Sequence, residues 1–195
     1  MLGRRAVHHD WTADSLARNP GTERHETDTL ADGRPARAGV TQSRDMTTER
    51  PTPARPQEAG ALIALLAAQL EEHAIPLAPE LLAQAVEGAL EDDGRALLLV
   101  SRDQGVPIAV AYLSFQWTLE RGGRVLWLEE LFVLPEHRGR GIGQRLLEAA
   151  LEVARARSCR SVELEVEASH ARAANLYRRA GFRPLDRVHW ALALD

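Results

Sequence analysis

The chain has 195 residues and a formal net charge of −4 at pH 7, and 45% of its residues are hydrophobic. This length favours one domain, and an acidic domain is a poor match for nucleic acid but suits a cationic small-molecule partner. The single cysteine, Cys159, excludes an internal disulfide and indicates a reducing cytosol, no apolar run is long enough to span a membrane, and the seven scattered histidines predict no metal site.

Residues 1–58 do not have the composition of a folded domain. They contain few large apolar side chains, show no apolar period and balance nine arginines with nine acidic residues. Such a segment cannot bury enough apolar surface to offset the entropy of the chain. Its acidic residues argue against a transit peptide, and it has no apolar segment typical of a secretion signal. We therefore predict a disordered extension over 1–45 and a folded domain over 46–195.

Two helices and three strands follow in chain order. Leucines at helical spacing predict a helix over 57–73 that Pro76 ends, and Pro79 opens a second helix that continues to about Leu90. Three short apolar segments separated by turn signals are predicted as strands over 95–101, 107–119 and 124–134. Because short turns join them, these strands are expected to form an antiparallel meander.

The most informative segment joins the third strand to the next helix. It runs from Leu131 to Leu147, where an apolar stretch ends at Pro135 and a turn rich in glycine and arginine opens directly into the helix. Unpaired N–H groups and the dipole at a helix start attract anions, and glycines remove side chains that would keep a ligand away. The residues of this predicted phosphate or pyrophosphate site are Arg138, Gly139, Arg140, Gly141, Ile142 and Gly143.

Two other phosphate-binding patterns fit this turn poorly. The phosphate loop of nucleotide hydrolases requires Gly-Lys-Ser/Thr, and this chain contains no lysine. The dinucleotide fingerprint requires G-x-G-x-x-G, whereas the spacing here is Gly139-x-Gly141-x-Gly143. The phosphate therefore belongs to another kind of ligand.

The second half of the chain alternates helix and strand. An apolar stripe predicts a helix over 141–157, and strict alternation predicts a strand over 161–167. A short helix over 171–180 is stopped by Gly181, and 183–194 is predicted as a final strand. Hairpins followed by a β-α-β crossover predict an α/β domain with a mixed sheet.

Two blocks of the sequence resemble the GCN5-related N-acetyltransferase (GNAT) family. Arg138-x-x-Gly141-x-Gly143 resembles its acetyl-CoA signature, and the segment starting at His170 resembles its closing signature, Asn-x-x-Ala-x-x-Leu-Tyr-x-x-x-Gly-Phe. The positions that match this closing signature are Ala173, Leu176, Tyr177, Gly181 and Phe182. His170 departs from it, because asparagine is usual there. Met46-Thr-Thr-Glu-Arg-Pro resembles the usual opening of the family, so we expect translation to start at Met46.

The resemblance implies a fold, a cosubstrate and the contacts of that cosubstrate. It implies the GNAT fold, a twisted mixed sheet flanked by about four helices, and transfer of the acetyl group of acetyl-CoA without a metal. The turn from Arg138 to Gly143 would bind the diphosphate of CoA. The main chain of Leu131, Phe132 and Val133 would face the pantetheine, with Val133 or a neighbour as the oxyanion donor, and His170 would contact the pantetheine or nearby backbone.

Two adjacent carboxylates are candidates for the base that deprotonates the acceptor amine. The segment from Trp127 to Val133 resembles Tyr-Leu-Glu-Asp-Phe-Phe-Val of the spermidine/spermine acetyltransferase subfamily, in which the first acidic residue is the proposed proton acceptor. This likeness selects Glu129, with Glu130 as the alternative. Because successive strand residues face opposite sides, at most one of them reaches the cleft unless a bulge intervenes. A solvated strand face or an ion pair is the structural alternative.

Tyr177 is the candidate general acid for the departing thiolate, since it matches the family's acid in the closing signature. The structural alternative is a buried tyrosine that packs between helix and sheet with its hydroxyl bonded to a carbonyl group. A variant that lacks only this hydroxyl separates the two roles.

These features together predict a cytoplasmic N-acetyltransferase that moves the acetyl group of acetyl-CoA to a primary amine by direct attack, since no cysteine lies in the motif region. Acidic charge and the likeness to the spermidine/spermine enzymes favour a small amine or polyamine. An aminoglycoside, a protein N-terminus or a lysine remain open as acceptors, and so does a regulatory module that binds acyl-CoA without catalysis. No nucleic-acid or membrane partner is expected, and the resemblance makes a homodimer possible.

Overall fold

The computed structural model describes residues 49–167 and 169–194. The predicted extension over 1–45 and the expected start at Met46 lie outside the described residues. Within them, the chain forms a five-stranded mixed sheet with helices on both faces, so the predicted α/β fold is confirmed. No helix in these residues is both long enough and apolar enough to cross a membrane.

The strands lie in the sheet in the same order as in the chain. They are β1 Thr52–Pro53, β2 Ala96–Asp103, β3 Val106–Thr118, β4 Gly123–Val133 and β5 Ser161–Leu164. Strands β1 to β4 pair antiparallel, and β5 pairs parallel to β4. A parallel neighbour requires a crossover connection, and the chain makes it with the helix that follows the glycine-rich turn.

Four helices of the described residues cover the sheet. They are α1 Ala59–Glu72, α2 Pro79–Glu91, α3 Ile142–Ala156 and α4 Ala171–Arg179. Helices α1 and α2 pack on one face, against strand residues such as Leu98 and Val100. Helix α3 packs on the opposite face through Leu146 and Leu147, which are at most 1% exposed. Burial of each such side chain stabilises the fold by about 1.5–3 kcal/mol. Because alternate strand residues face opposite sides of the sheet, helices can bury apolar side chains on both faces.

The ladder between β3 and β4 contains a one-residue bulge. Tyr112 pairs with Glu130, whereas its neighbour Leu113 pairs with Leu128, so Glu129 has no partner across the ladder. An extra residue of this kind resets the alternation of side chains along the strand. The bulge therefore decides which way the two adjacent glutamates face.

A buried arginine fixes the start of α1 to the sheet. The Arg102 side chain of β2 is 1% exposed, and its Nε and Nη2 donate to the two carboxylate oxygens of Glu58, each at 2.6 Å. Its Nη1 also donates to Thr52 Oγ1 at 2.7 Å. Because Glu58 is the residue before α1, this cluster ties the helix start to β1 and β2.

Two predicted strands differ from the structure. β5 ends at Leu164 rather than at residue 167, and the predicted strand over 183–194 is wrong, because no residue in that range is in a strand. Val188, Trp190 and Leu192 alternate as in a strand, yet they are 77%, 89% and 85% exposed. Alternation of side chains does not suffice, because a strand also requires backbone hydrogen bonds to a neighbour.

Candidate active site

The bulge turns two neighbouring carboxylates to the same side of the sheet. Leu128 and Leu131 both pack into the core beneath α3, and the two residues between them face the opposite side. There, Glu130 accepts a hydrogen bond from the amide nitrogen of Gln69 on α1. Simple alternation allows only one carboxylate to face the cleft, and the bulge at Glu129 removes that restriction.

The two carboxylates have different surroundings. Glu129 is exposed and accepts a hydrogen bond from Ser114 Oγ at 2.7 Å. Glu130 is half-buried, and burial together with the charge of Glu129 raises its pKa, while the hydrogen bond from Gln69 lowers it. A carboxylate with a raised pKa is the stronger base. Of the two, Glu130 is therefore the better proton acceptor near neutral pH.

Tyr177 packs against the core beneath α3. Helix α4 carries this half-buried tyrosine, whose ring makes an edge-on contact with Phe182 at 5.8 Å between centroids. Burial, and then the charge of Glu130, raises the pKa of Tyr177. A raised pKa keeps the phenol protonated, as a proton donor requires. The charge of the candidate base thus acts on the candidate acid.

Strands β4 and β5 separate at the position of the bulge. Their parallel pairing covers Val125–Leu128 and Ser161–Leu164, whereas β4 continues to Val133. In the described part of the chain, the edge of residues 129–133 that would face β5 has no strand partner. Such an edge presents N–H and C=O groups that can bind an extended ligand. The carboxylates therefore lie next to an open strand edge.

Leu131, Phe132 and Val133, which the sequence predicts as contacts of the pantetheine, lie along this open edge. Atoms of Leu131 and Val133 are 3.4 and 3.8 Å from the position that a Cβ on Gly143 would take. Phe132 is 4% exposed in the core beneath α1 and α2. Because packing occupies these side chains, the contact that these residues can offer a ligand is through the main chain.

The glycine-rich turn has the backbone geometry of an anion site. Gly139 and Gly141 have φ angles of +81° and +74°, a region that residues with side chains rarely adopt. Gly141 immediately precedes α3, and no side chain caps this helix start. The first N–H groups of α3, at Ile142 and Gly143, therefore have no side-chain acceptor.

Two buried side-chain nitrogens near the turn have no hydrogen-bond partner. They are His137 Nδ1, in the 3₁₀ turn before the glycines, and Arg145 Nε, in the first turn of α3. Arg145 Nη1 donates to the carbonyl of Arg140 at 3.2 Å, and Arg140 donates to the carbonyl of Glu136 at 3.1 Å. Unpaired nitrogens beside a helix start suit phosphate oxygens, so the residues present fit the diphosphate of CoA.

Arg138 is bound to the end of α1. Its Nη1 and Nη2 donate to the carboxylate of Glu72 at 3.0 and 2.6 Å, and its Nε donates to the carbonyl of Val133 at 2.8 Å. These hydrogen bonds from Arg138 hold the pKa of Glu72 below its usual value. The predicted contact of Arg138 with a phosphate would therefore replace a carboxylate that it already binds.

His170 lies at the start of α4 and contacts His73 at the end of α1. Their ring centroids are 4.8 Å apart. The charges of both histidines contribute to lowering the pKa of Glu72, so the end of α1, the glycine-rich turn and the start of α4 converge. The sequence singles out His170 but not Glu72 or His73, because their positions depend on how α1 docks on the sheet.

Three residues that sequence reasoning missed surround the carboxylates: Gln69, Tyr112 and Ser114. Burial, and then the charge of Glu129, raises the pKa of Tyr112, which pairs with Glu130 across the ladder. The sequence contained one sign that Gln69 has a special role, because its polar side chain interrupts the leucine stripe of α1. Nothing in the sequence indicated that it would meet a glutamate from β4.

Neither a cluster of metal-binding side chains nor a reactive thiol is found in the part of the chain that the structure describes. Within residues 49–167 and 169–194, no group of three or more histidine, cysteine, aspartate and glutamate side chains is arranged to hold a metal ion. Cys159 is partly buried against the core beneath α3, where burial raises the pKa of its thiol. A protonated thiol in the core is a poor nucleophile.

Known proteins resemble this chain in sequence and in fold. The profile of the Acetyltransferase (GNAT) family matches residues 61–182. A mycothiol acetyltransferase of Clavibacter michiganensis is 35% identical over 163 residues, which cover 75% of this chain and 49% of that protein. A thialysine N-epsilon-acetyltransferase of Sus scrofa is 38% identical over 74 residues, which cover 38% of this chain and 41% of that protein. The chain thus spans half or less of the length of these relatives.

A solved structure shares the fold. It is that of the aminoglycoside N-acetyltransferase AAC(6')-Iy in complex with CoA, which superposes with a TM-score of 0.65. The two sequences are 19% identical, and the match covers 75% of this chain and 95% of the other. At this identity the likeness concerns the arrangement of helices and strands.

Proposed function

The chain belongs to the acetyltransferase (GNAT) family, and on that premise we propose that it transfers the acetyl group of acetyl-CoA to a primary amine by direct attack. One observation carries the proposal. The β4 bulge turns Glu129 and Glu130 to the same side of the sheet, and the pKa of Tyr177 responds to Glu130. The same bulge lies where β4 separates from β5. Two candidate bases beside an open strand edge, and a candidate acid that senses one of them, therefore support this chemistry.

In this proposal the glycine-rich turn binds the diphosphate of the cosubstrate. The uncapped N–H groups of Ile142 and Gly143 donate to it, and the unpaired Nε of Arg145 and the guanidinium of Arg138 add positive charge. The main chain of residues 131–133 aligns the pantetheine along the open edge. Bound acetyl-CoA supplies a thioester whose carbonyl carbon accepts the attack.

The base must remove a proton from the acceptor, because free alkyl amines have a pKa near 10.4 and are mostly charged at pH 7. The likeness to the spermidine/spermine enzymes selects Glu129, whereas burial and a raised pKa support Glu130. We assign proton removal to Glu130 and attraction of the ammonium group to the exposed Glu129. The neutral nitrogen then forms the new N–C bond.

Tyr177 completes the transfer as the general acid. When the C–S bond breaks, the departing thiolate takes the phenolic proton of Tyr177. The first ammonium proton remains on Glu130, and the second, which leaves the nitrogen as the amide forms, restores the proton of Tyr177. The negative charge on the carbonyl oxygen before this step is met by a main-chain N–H of the open edge, at Val133 or a neighbour. The raised pKa of Tyr177 supports this assignment, since it keeps the proton in place until the thiolate forms.

A small primary amine is the acceptor that we favour. The two carboxylates give the α1 side of the cleft a negative charge that attracts an ammonium group. The relatives carry the names of mycothiol and thialysine acetyltransferases, and the structural neighbour that of an aminoglycoside acetyltransferase. An aminoglycoside and a protein N-terminus or lysine are the alternative acceptors.

Release of free thiol from acetyl-CoA tests the proposal. The panel of acceptors contains spermidine, lysine, thialysine, an aminoglycoside and a peptide with a free N-terminus. We expect saturable thiol release and a mono-acetylated product with at least one small amine. If acetyl-CoA binds by calorimetry and no acceptor releases thiol, the chain is an acyl-CoA-binding module and the proposal is wrong.

Matched variants test the assigned roles. Glu130→Gln should lower kcat/KM about 10²–10⁴-fold, the range typical of a general base, and Glu129→Gln should mainly raise the KM for the amine. Tyr177→Phe should lower kcat with little change in the affinity for acetyl-CoA. Equal effects of the two glutamine variants on kcat would contradict the division of roles between the carboxylates.

A further inference from the structure

Gln69 is a buried amide with an unused acceptor atom. It lies on the face of α1 that otherwise buries Leu62, Leu65 and Leu66, and it is 4% exposed. Its Nε2 donates to the carboxylate of Glu130, whereas its Oε1 is buried and has no hydrogen-bond partner. A buried acceptor left unpaired destabilises a fold. A leucine or methionine would fill this place on the helix without that cost.

The orientation of the amide follows from its neighbour. An ionised carboxylate only accepts hydrogen bonds, so the NH₂ group of Gln69 must face Glu130 and the oxygen must point elsewhere. The unpaired oxygen therefore lies one amide width from the proposed base. An amino group that reaches Glu130 from the same side of the sheet would approach this oxygen as well.

We propose that Gln69 recognises the acceptor, with its Oε1 accepting an N–H of the same amino group that Glu130 deprotonates. This inference rests on the proposed function. Acetylation removes two protons in all from the ammonium form of the acceptor. A primary amine still has one N–H for Gln69 after both have left, whereas a secondary amine has none. Gln69 thus selects primary over N-methylated amines.

The same side chain positions the base. Its Nε2 lowers the pKa of Glu130, against the effects of burial and of the Glu129 charge. Tyr177 from α4 and Tyr112 from β3 are the other titratable groups near the carboxylate pair, and both have raised pKa values that keep them neutral. Loss of the amide removes a lowering contribution without introducing a charge, so the pKa of Glu130 should rise.

Gln69→Met tests both parts, and the exposed Gln84→Met on α2 is the matched control. The probes are the best small amine of the panel and its N-methyl derivative. We expect wild type to prefer the primary amine at least tenfold in kcat/KM, and Gln69→Met to reduce this preference to less than threefold. The acidic limb of the kcat/KM profile should move to higher pH, because Glu130 must be deprotonated to act. Gln84→Met should change neither the preference for the primary amine nor the pH dependence of kcat/KM.

Two further measurements keep the inference separable from the proposed function. Gln69→Met should bind acetyl-CoA with unchanged affinity, and its Tm should stay close to that of wild type, because removal of the unpaired oxygen offsets the lost hydrogen bond to Glu130. An unchanged amine preference in a folded Gln69→Met variant would show that Gln69 is structural and overturn the inference. If wild type binds no acetyl-CoA and acetylates no amine, the proposed function fails first, and the inference fails with it.

Discussion

The two ends of α1 are each held by an arginine that binds a glutamate through two hydrogen bonds, but in opposite surroundings. At the start, Arg102 and Glu58 have side chains that are 1% and 12% exposed. At the end, Arg138 and Glu72 are 32% and 43% exposed and adjoin the glycine-rich turn. A buried pair cannot lose one partner without a large penalty. The accessible pair can lose its carboxylate partner at little cost, so similar chemistry serves structure at one end and, under the proposed function, phosphate binding at the other.

The largest expected effect is on the buried pair. Arg102→Met leaves the Glu58 carboxylate without its guanidinium, and loss of one partner of a buried pair typically lowers the free energy of unfolding by about 3–5 kcal/mol. Urea unfolding followed by circular dichroism measures it. The double variant Arg102→Met with Glu58→Gln should recover part of the loss. A loss below about 1 kcal/mol would mean that the pair behaves like a surface ion pair.

Arg138→Met should change the affinity for acetyl-CoA much more than it changes stability. Its free energy of unfolding should change by less than about 1 kcal/mol, because partly exposed ion pairs contribute little. Its affinity for acetyl-CoA should fall about tenfold or more, since a hydrogen bond to a charged group contributes about 1.5–3 kcal/mol. Calorimetric titration with acetyl-CoA gives the affinity. Unchanged binding would remove Arg138 from the cofactor site.

Glu72→Gln should act in the opposite direction to Arg138→Met. It removes the carboxylate that competes with phosphate for Arg138 and an anion from the neighbourhood of the diphosphate. We expect acetyl-CoA to bind about two- to fivefold more tightly, corresponding to less than about 1 kcal/mol. The same titration measures it, with the exposed Glu71→Gln as the control on α1. Weaker binding would show that Glu72 organises the turn rather than competing for it.

The smallest effect is the dependence of stability on acid. The hydrogen bonds from Arg102 lower the pKa of Glu58 in the folded state. The stabilisation is therefore fully present above the unfolded pKa, near 4.3, and is lost as the pH falls through the lowered folded value. Urea unfolding at pH 7 and pH 3 should show wild type losing more stability than the double variant without either charge. Equal losses would contradict the assigned cause.

The glycine-rich turn and the order of the elements could be predicted because local patterns determine them, whereas the role of Tyr177, which the resemblance implies, stays a prediction. The α3 stripe and the strands β2 to β4 have the periodicity that burial requires. A final strand over 183–194 could not be predicted correctly in the same way, because alternation says nothing about whether a neighbour offers backbone hydrogen bonds. Its exposed Trp190 illustrates the difference.

The arrangement of the two glutamates was outside the reach of pattern reasoning. Alternation permits only one of Glu129 and Glu130 to face the cleft, and the extra residue in the ladder makes both do so. A bulge depends on the register between β3 and β4, which is a tertiary property. The partners of Glu130 and Arg138, namely Gln69 and Glu72, likewise depend on the docking of α1. Helical spacing predicts that helix but not what its polar residues meet.

The separation of β4 from β5 affects how readily the protein associates with other chains when no CoA is bound. Residues 129–133 form a strand whose outer side lacks a neighbour among the described residues, and exposed strand edges are templates for association with other chains. A cosubstrate arm lying there would act as a removable extra strand. We expect amide protons of this segment to exchange more slowly in the presence of CoA, and storage without it to favour aggregation. The concentration of CoA would then affect how long the protein stays unaggregated as well as how fast it turns over.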